Sequence, residues 1–120
     1  MLKKGNRLDR SSIGKVFKEG CFISGKSLNF KFIISEDRFT RAVSFIVPKS
    51  ISKRSRDRNL LRRRGYAILK ESLADLPKGI KGAFIFGPAS LKLYGGYKSK
   101  TKSPIDNLRH AIKEIIYKIH

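Results

Sequence analysis

Between Lys49 and Arg64 the sequence carries eight basic residues and one acid, Asp57. Lys49, Lys53, Arg54, Arg56, Arg58, Arg62, Arg63 and Arg64 repel one another unless an anion lies against them. Ammonium and guanidinium groups at this density are suited to phosphate contact. Asn59 and Tyr66 fall in the same stretch, an amide that can hydrogen-bond and a ring on which a base can stack. Read instead as an ordinary solvated face, the cluster would leave its self-repulsion unanswered. The whole chain agrees with the segment: 28 Lys and Arg stand against 9 Asp and Glu, a formal net charge of +19. Nucleic acid is the partner this charge predicts.

Other chemistry is poorly served. A metal-dependent nuclease needs several converging carboxylates, yet the acids are scattered and Glu36 and Asp37 are neighbours in one turn. No catalytic residue and no metal site are expected in this chain. Cys21 is the only cysteine, so neither an internal disulfide nor a Cys-based zinc cluster can form, and it reads as a small, partly buried side chain. His110 has no Cys or second His at ligand spacing, and His120 is the last residue. No apolar run approaches the ~18–20 residues of a membrane span, and MLKKGNRLDR has no apolar signal region after its lysines. These features predict a cytoplasmic protein with no membrane partner.

The basic segment needs a scaffold, and the flanking patterns supply one. Residues 9–20 place Ile13, Val16 and Phe17 at helical spacing, with Asp9 or Ser11 as N-cap and Gly20 as the stop. In SLNFKFII, Leu28, Phe30, Phe32 and Ile34 alternate with Asn29, Lys31 and Ile33, the period of a strand with one buried face. Glu36 and Asp37 mark a turn. The near-continuous apolar run 41–48 ends at Pro48 and reads as a central strand covered on both faces. A helix is expected from about residue 57 to 75, with Asn59, Arg62, Arg63, Tyr66 and Lys70 on one stripe and Leu61, Gly65, Ile68 and Ser72 opposite. GAFIFG, 82–87, reads as a short strand parallel to 41–48, and 95–103 as a mobile lysine-bearing loop. Ser103 caps a last helix with Pro104 in its first turn and Ile105, Leu108, Ile112, Ile115, Ile116 and Ile119 on its apolar face. A fourth strand, if present, falls around Cys21–Ile23. The chain, 1–120, reads as one domain.

The segment FIVPKSISKRSRDRNLLRRRGYAIL, 45–69, resembles the signature of the bacterial ribonuclease P protein family, with Arg58–Asn59 as its Arg-Asn pair and Arg62 and Arg63 at the family's spacing. NRLDRSSIGKVFKEG resembles the family's opening. The resemblance implies an α/β (α+β) sandwich in the order αβββαβα, similar to the second domain of ribosomal protein S5, with a mixed sheet, a basic crossover helix and a C-terminal helix. It also implies the protein subunit of an endonuclease whose active centre lies in a catalytic RNA that holds the Mg2+ ions. Such a subunit binds that RNA, one protein per RNA, and the 5′ leader of precursor tRNA, from which the holoenzyme makes the mature tRNA 5′ end. Carried over by position, Lys49, Lys53, Arg54, Arg56, Arg58, Asn59, Arg62 and Arg63 would face the catalytic RNA. Ile13, Phe17, Lys31 and Tyr66 would line the leader cleft, with Ile13 standing where many members have Phe and Tyr66 where many have Arg. The rival readings are a ribosomal or other structural RNA-binding protein and a basic metal-dependent nuclease.

Overall fold

The computed structural model describes residues 10–36, 41–95 and 103–119, with side chains of the first helix from Ile13 onward. The expected caps at Asp9 and Ser11, the Asp37 half of the turn and most of the lysine-bearing loop lie outside these residues and side chains.

Helix α1, Arg10–Glu19, leads through Gly20 into β1, Cys21–Gly25, and β2, Leu28–Ile34. Next come β3, Ala42–Ile46, and helix α2, Ser55–Ser72, with a 3-10 turn at Leu73–Asp75. Strand β4, Ile80–Phe86, a π turn at Leu91–Gly95 and helix α3, Pro104–Ile119, complete the order αβββαβα. The sheet runs β1-β2-β4-β3, antiparallel except for the parallel β3/β4 pair that α2 connects. A mixed sheet with a basic crossover helix is therefore what the chain forms.

Three expectations need correction. Strand β3 lies at the edge of the sheet, not its centre. Its unbroken apolarity reports two covered faces, since Ala42 packs toward α1 while Val43 and Phe45 enter the opposite core; it does not report two paired neighbours. Strand β2 is likewise covered on both sides, for Ile33 packs beneath α1 with Ile13, Val16 and Ile46, while the terminal Ile34 is exposed. On α3 the apolar face begins one turn later than expected, because Ile105 is exposed while Leu108 is fully buried.

The main core is aromatic. The Phe30 and Phe84 rings stack at 4.3 Å, Phe84 and Phe45 at 4.9 Å, and Tyr66 meets Phe45 edge-on at 5.1 Å. Leu61, Ile68 and Leu69 of α2 and Leu108, Ile112 and Ile115 of α3 close over them. Two glycines permit these approaches. A Cβ on Gly65 would lie 2.7 Å from the Phe45 ring, and one on Gly82 would collide with Phe30. Helix α2 thus sits on β3 at a distance that only glycine allows.

Strand β4 is followed by a clasp on the β1/β2 turn. Ser27 takes a positive φ of 49° there, a conformation unusual outside glycine. Its carbonyl accepts Gly87 N–H at 2.8 Å and Ser90 Oγ at 3.0 Å, while the Tyr94 hydroxyl donates to the Lys26 carbonyl. Burial, with a smaller push from Glu114, raises the Tyr94 hydroxyl to about 12, which keeps it a protonated donor at ordinary pH.

Candidate nucleic-acid interface

The turn entering α2 is organised by Ser52. Its hydroxyl donates to Asp57 Oδ2 at 2.9 Å and accepts Arg54 N–H at 3.1 Å. Arg58 folds back over the same turn, Nη1 donating to the Ser52 carbonyl at 2.8 Å and Nη2 to Ser55 Oγ at 3.2 Å. The segment's single acid is therefore held by a serine, and one of its arginines by the backbone. Helix α2 starts at Ser55, two residues before the position its apolar pattern indicated, so Arg58 closes the first turn and Asn59 follows it rather than opening the helix.

What remains is a set of cations with no acidic partner among the described residues. Lys49, Lys53, Arg54, Arg56 and Arg63 are exposed and Arg62 is half-buried. None of these six takes part in the ion pairs seen among the described residues at Arg109 with Glu71 and Asp106, and at Lys118 with Glu114. Arg62 Nη2 donates to Asn59 Oδ1 one turn earlier, which orients its guanidinium along the exposed face. Arg64 stands apart from its neighbours because its guanidinium donates to the Tyr94 carbonyl at 2.7 Å, tying α2 to the π turn. The surface is thus a structured turn and one helix face presenting six cations.

Arg58 is predicted to act on RNA through this turn. Arg58→Gln should weaken association with the RNA subunit several-fold while leaving the slope of log affinity against log salt unchanged, because the exposed cations around it keep their charges. A drop of about 0.7–0.9 in that slope would instead assign Arg58 a phosphate contact of its own.

A second surface forms on the opposite side of the sheet. Phe17, near the end of α1, is 38% exposed. Lys31 Nζ donates to the Phe17 carbonyl at 3.2 Å and lies 5.7 Å from the centre of its ring. Ile13 is half-buried beside Val16 and forms the floor of this region rather than a free surface. A ring and an ammonium group therefore meet here, with Ile13 one turn before Phe17 on the same helix.

Tyr66 does not join them. Its side chain is 6% exposed and packs on the α2 side of the sheet, where its hydroxyl accepts Phe45 N–H at 3.2 Å. The sheet separates it from Phe17 and Lys31. The cause is that β3, as an edge strand, has N–H groups turned away from β4, and a buried one needs a partner. Helical spacing puts Tyr66 inside the cationic stripe with Asn59, Arg62, Arg63 and Lys70, and the structure corrects this: the long-range contact with Phe45 turns its ring into the core.

One aromatic was missed. Phe22 is 56% exposed on β1 and lies opposite Lys31 in the β1/β2 register. Its signal was the run CFISG, where a fourth strand was expected if present but which is too brief to establish a strand period.

No His, Cys, Asp or Glu cluster suited to a metal ion occurs among the described residues, and no helix there is long and apolar enough to cross a membrane.

A family model for ribonuclease P matches residues 2–115. No curated protein sequence matches. Among solved structures, the ribonuclease P protein from Thermotoga maritima superposes with a TM-score of 0.77 at 19% identity, covering 95% of this chain and 97% of that one. A Staphylococcus aureus RNase P protein mutant with defective mRNA degradation activity gives 0.77 at 12% identity, over 97% and 89% of the two chains. Another Staphylococcus aureus RNase P protein structure gives 0.73 at 12% identity, over 97% and 96%. At these identities the structural likeness establishes the fold.

Proposed function

The chain belongs to the ribonuclease P family, the protein component of the tRNA-processing ribonuclease P holoenzyme, and we propose that its two surfaces divide the work between two RNAs. Lys49, Lys53, Arg54, Arg56, Arg62 and Arg63 dock the catalytic RNA, with Asn59 orienting Arg62 and Arg58 holding the turn. Phe17 and Lys31, over the floor that Ile13 helps to form, receive the single-stranded 5′ leader of precursor tRNA.

The observation that carries this reading is the unneutralised basic turn and helix face. Six cations on one continuous segment, whose only acid is engaged by Ser52, call for a polyanion that follows their spacing. The leader surface is smaller and chemically different. An exposed ring beside an ammonium group can stack a base and contact its phosphate, which suits an unpaired strand and not a duplex.

Magnesium chemistry belongs to the RNA in this reading. The protein contributes by neutralising phosphate charge and holding the leader, so that the RNA's own metal sites fill at lower Mg2+. We place one copy on each catalytic RNA, in the cytoplasm.

Reconstitution tests the proposal. Added to a ribonuclease P RNA, the protein should restore precursor processing at a Mg2+ concentration where the RNA alone is nearly inactive, while the protein alone cleaves nothing. Unchanged processing would favour a structural RNA-binding role, and cleavage without RNA would favour a nuclease.

A further inference from the structure

The register of the β1/β2 ladder places a second ring beside Lys31. Phe22 and Lys31 are directly opposite, and such residues project from one face with Cβ atoms about 4.5–5.5 Å apart. Helix α1 rests on β2 and β4, whereas β1 lies on the other side of β2, at the sheet edge. Phe22 therefore flanks Lys31 on the strip that α1 leaves open, while Phe17 approaches the same lysine from α1.

This placement is unusual within the molecule. Phe30, Phe45, Phe84 and Phe86 are buried and Phe32 is packed against them, whereas Phe17 and Phe22 are exposed, and both neighbour Lys31. Neither ring contributes to the core clusters. An ammonium group with a ring on each side matches the repeat of a single strand, in which bases stack and the phosphate between them meets a cation.

We propose that Phe22 stacks a base of the precursor's 5′ leader, so that the single-stranded path crosses from Phe17 over Lys31 to the edge strand β1. The inference rests on the leader reading above, and it assigns the path a direction and one more base than Phe17 and Lys31 alone would hold. Asn29 and Ser24, joined on the same strands by a hydrogen bond from Ser24 Oγ to Asn29 Oδ1 at 3.3 Å, continue the β1/β2 surface beyond Phe22 with polar groups.

Leader-length titrations with the reconstituted holoenzyme test it. Affinity for precursor tRNA is measured as the leader is extended one nucleotide at a time, for the natural chain, Phe22→Ala, Phe22→Tyr and Phe17→Ala. Phe22→Ala should lower the plateau roughly tenfold, the effect of one stacked base, with affinity for mature tRNA unchanged. Phe22→Tyr, which keeps a ring, should follow the natural curve. Thermal unfolding of each variant keeps a fold defect distinct from a lost contact, and an exposed ring should leave it unchanged. If Phe22→Ala reproduces the natural curve while Phe17→Ala lowers it, the Phe22 proposal is overturned and the leader reading stands. If neither variant moves the curve, both fall. If Phe22→Ala instead abolishes self-association in sedimentation and leaves the curve unchanged, the ring belongs to a contact between copies, and the proposal is likewise overturned.

Discussion

Adding this protein to the catalytic RNA should strengthen binding of precursor tRNA far more than binding of mature tRNA, and Phe17→Ala should remove about tenfold of that difference. Only the precursor has leader nucleotides to place on the ring of Phe17 and the ammonium group of Lys31. A stacked base contributes ~1–3 kcal/mol, which is roughly a fivefold to hundredfold change in affinity. Lys31→Gln should act differently: it should lower the salt slope of precursor binding by about 0.7, the effect of one phosphate on a single strand. Binding curves for both RNAs at several salt concentrations separate the two. Equal enhancement of precursor and mature tRNA would show that the protein works only through the catalytic RNA. Tyr66 is not part of this experiment, because its ring fills the core and its loss would report on folding.

A larger loss is expected from the other surface. Changing Lys53, Arg54, Arg56, Arg62 and Arg63 together to Gln should lower the salt slope of RNA-subunit binding by about 4 and its affinity near 0.1 M salt by a factor on the order of 10^3–10^4. These residues are exposed or half-buried and form no ion pairs among the described residues, so the fold should survive. Circular dichroism and thermal unfolding should even show a slight gain, since five mutually repelling charges are gone. A variant that binds RNA normally would show that docking uses another face. A variant that fails to fold would mean that the segment's cations are structural, as Arg64 and Arg58 already are.

The contrast among those arginines shows what the sequence could convey. Helical periodicity established α1, α2 and α3 almost to their ends, because each buries a face at its own apolar spacing, and an apolar run between glycines marked β4. The identity of the basic segment was equally plain from composition. Position in the sheet was not. Strand β3 looked central because both its faces are covered, and strand β1 hardly registered because its residues Cys21, Phe22 and Ser24 are exposed. Individual roles depended on partners distant in the chain. Arg64 and Arg63 are adjacent and chemically identical, yet one meets the Tyr94 carbonyl, 30 residues on, and the other faces solvent. Tyr66 turns inward for Phe45, 21 residues back. Ile13, Phe17 and Lys31 were grouped by resemblance, and the structure brings them together on one side of the sheet. Phe22 could join them only once the register was known.

The hydrogen bond between Tyr66 and Phe45 has a further consequence for the chain before it meets RNA. An edge strand with open N–H groups and an apolar sequence such as AVSFI is a template on which another chain can add a strand and seed aggregation. The Tyr66 hydroxyl occupies the Phe45 N–H, and the close seat of α2 on Gly65 keeps the phenol in place. The side of the sheet with the more adhesive sequence is thereby blunted by the helix that carries the exposed arginines. Mutual repulsion among those charges adds to the effect by holding free copies apart. One face of a single helix thus covers the open edge of the sheet, and the other holds the cations proposed to meet the polyanion.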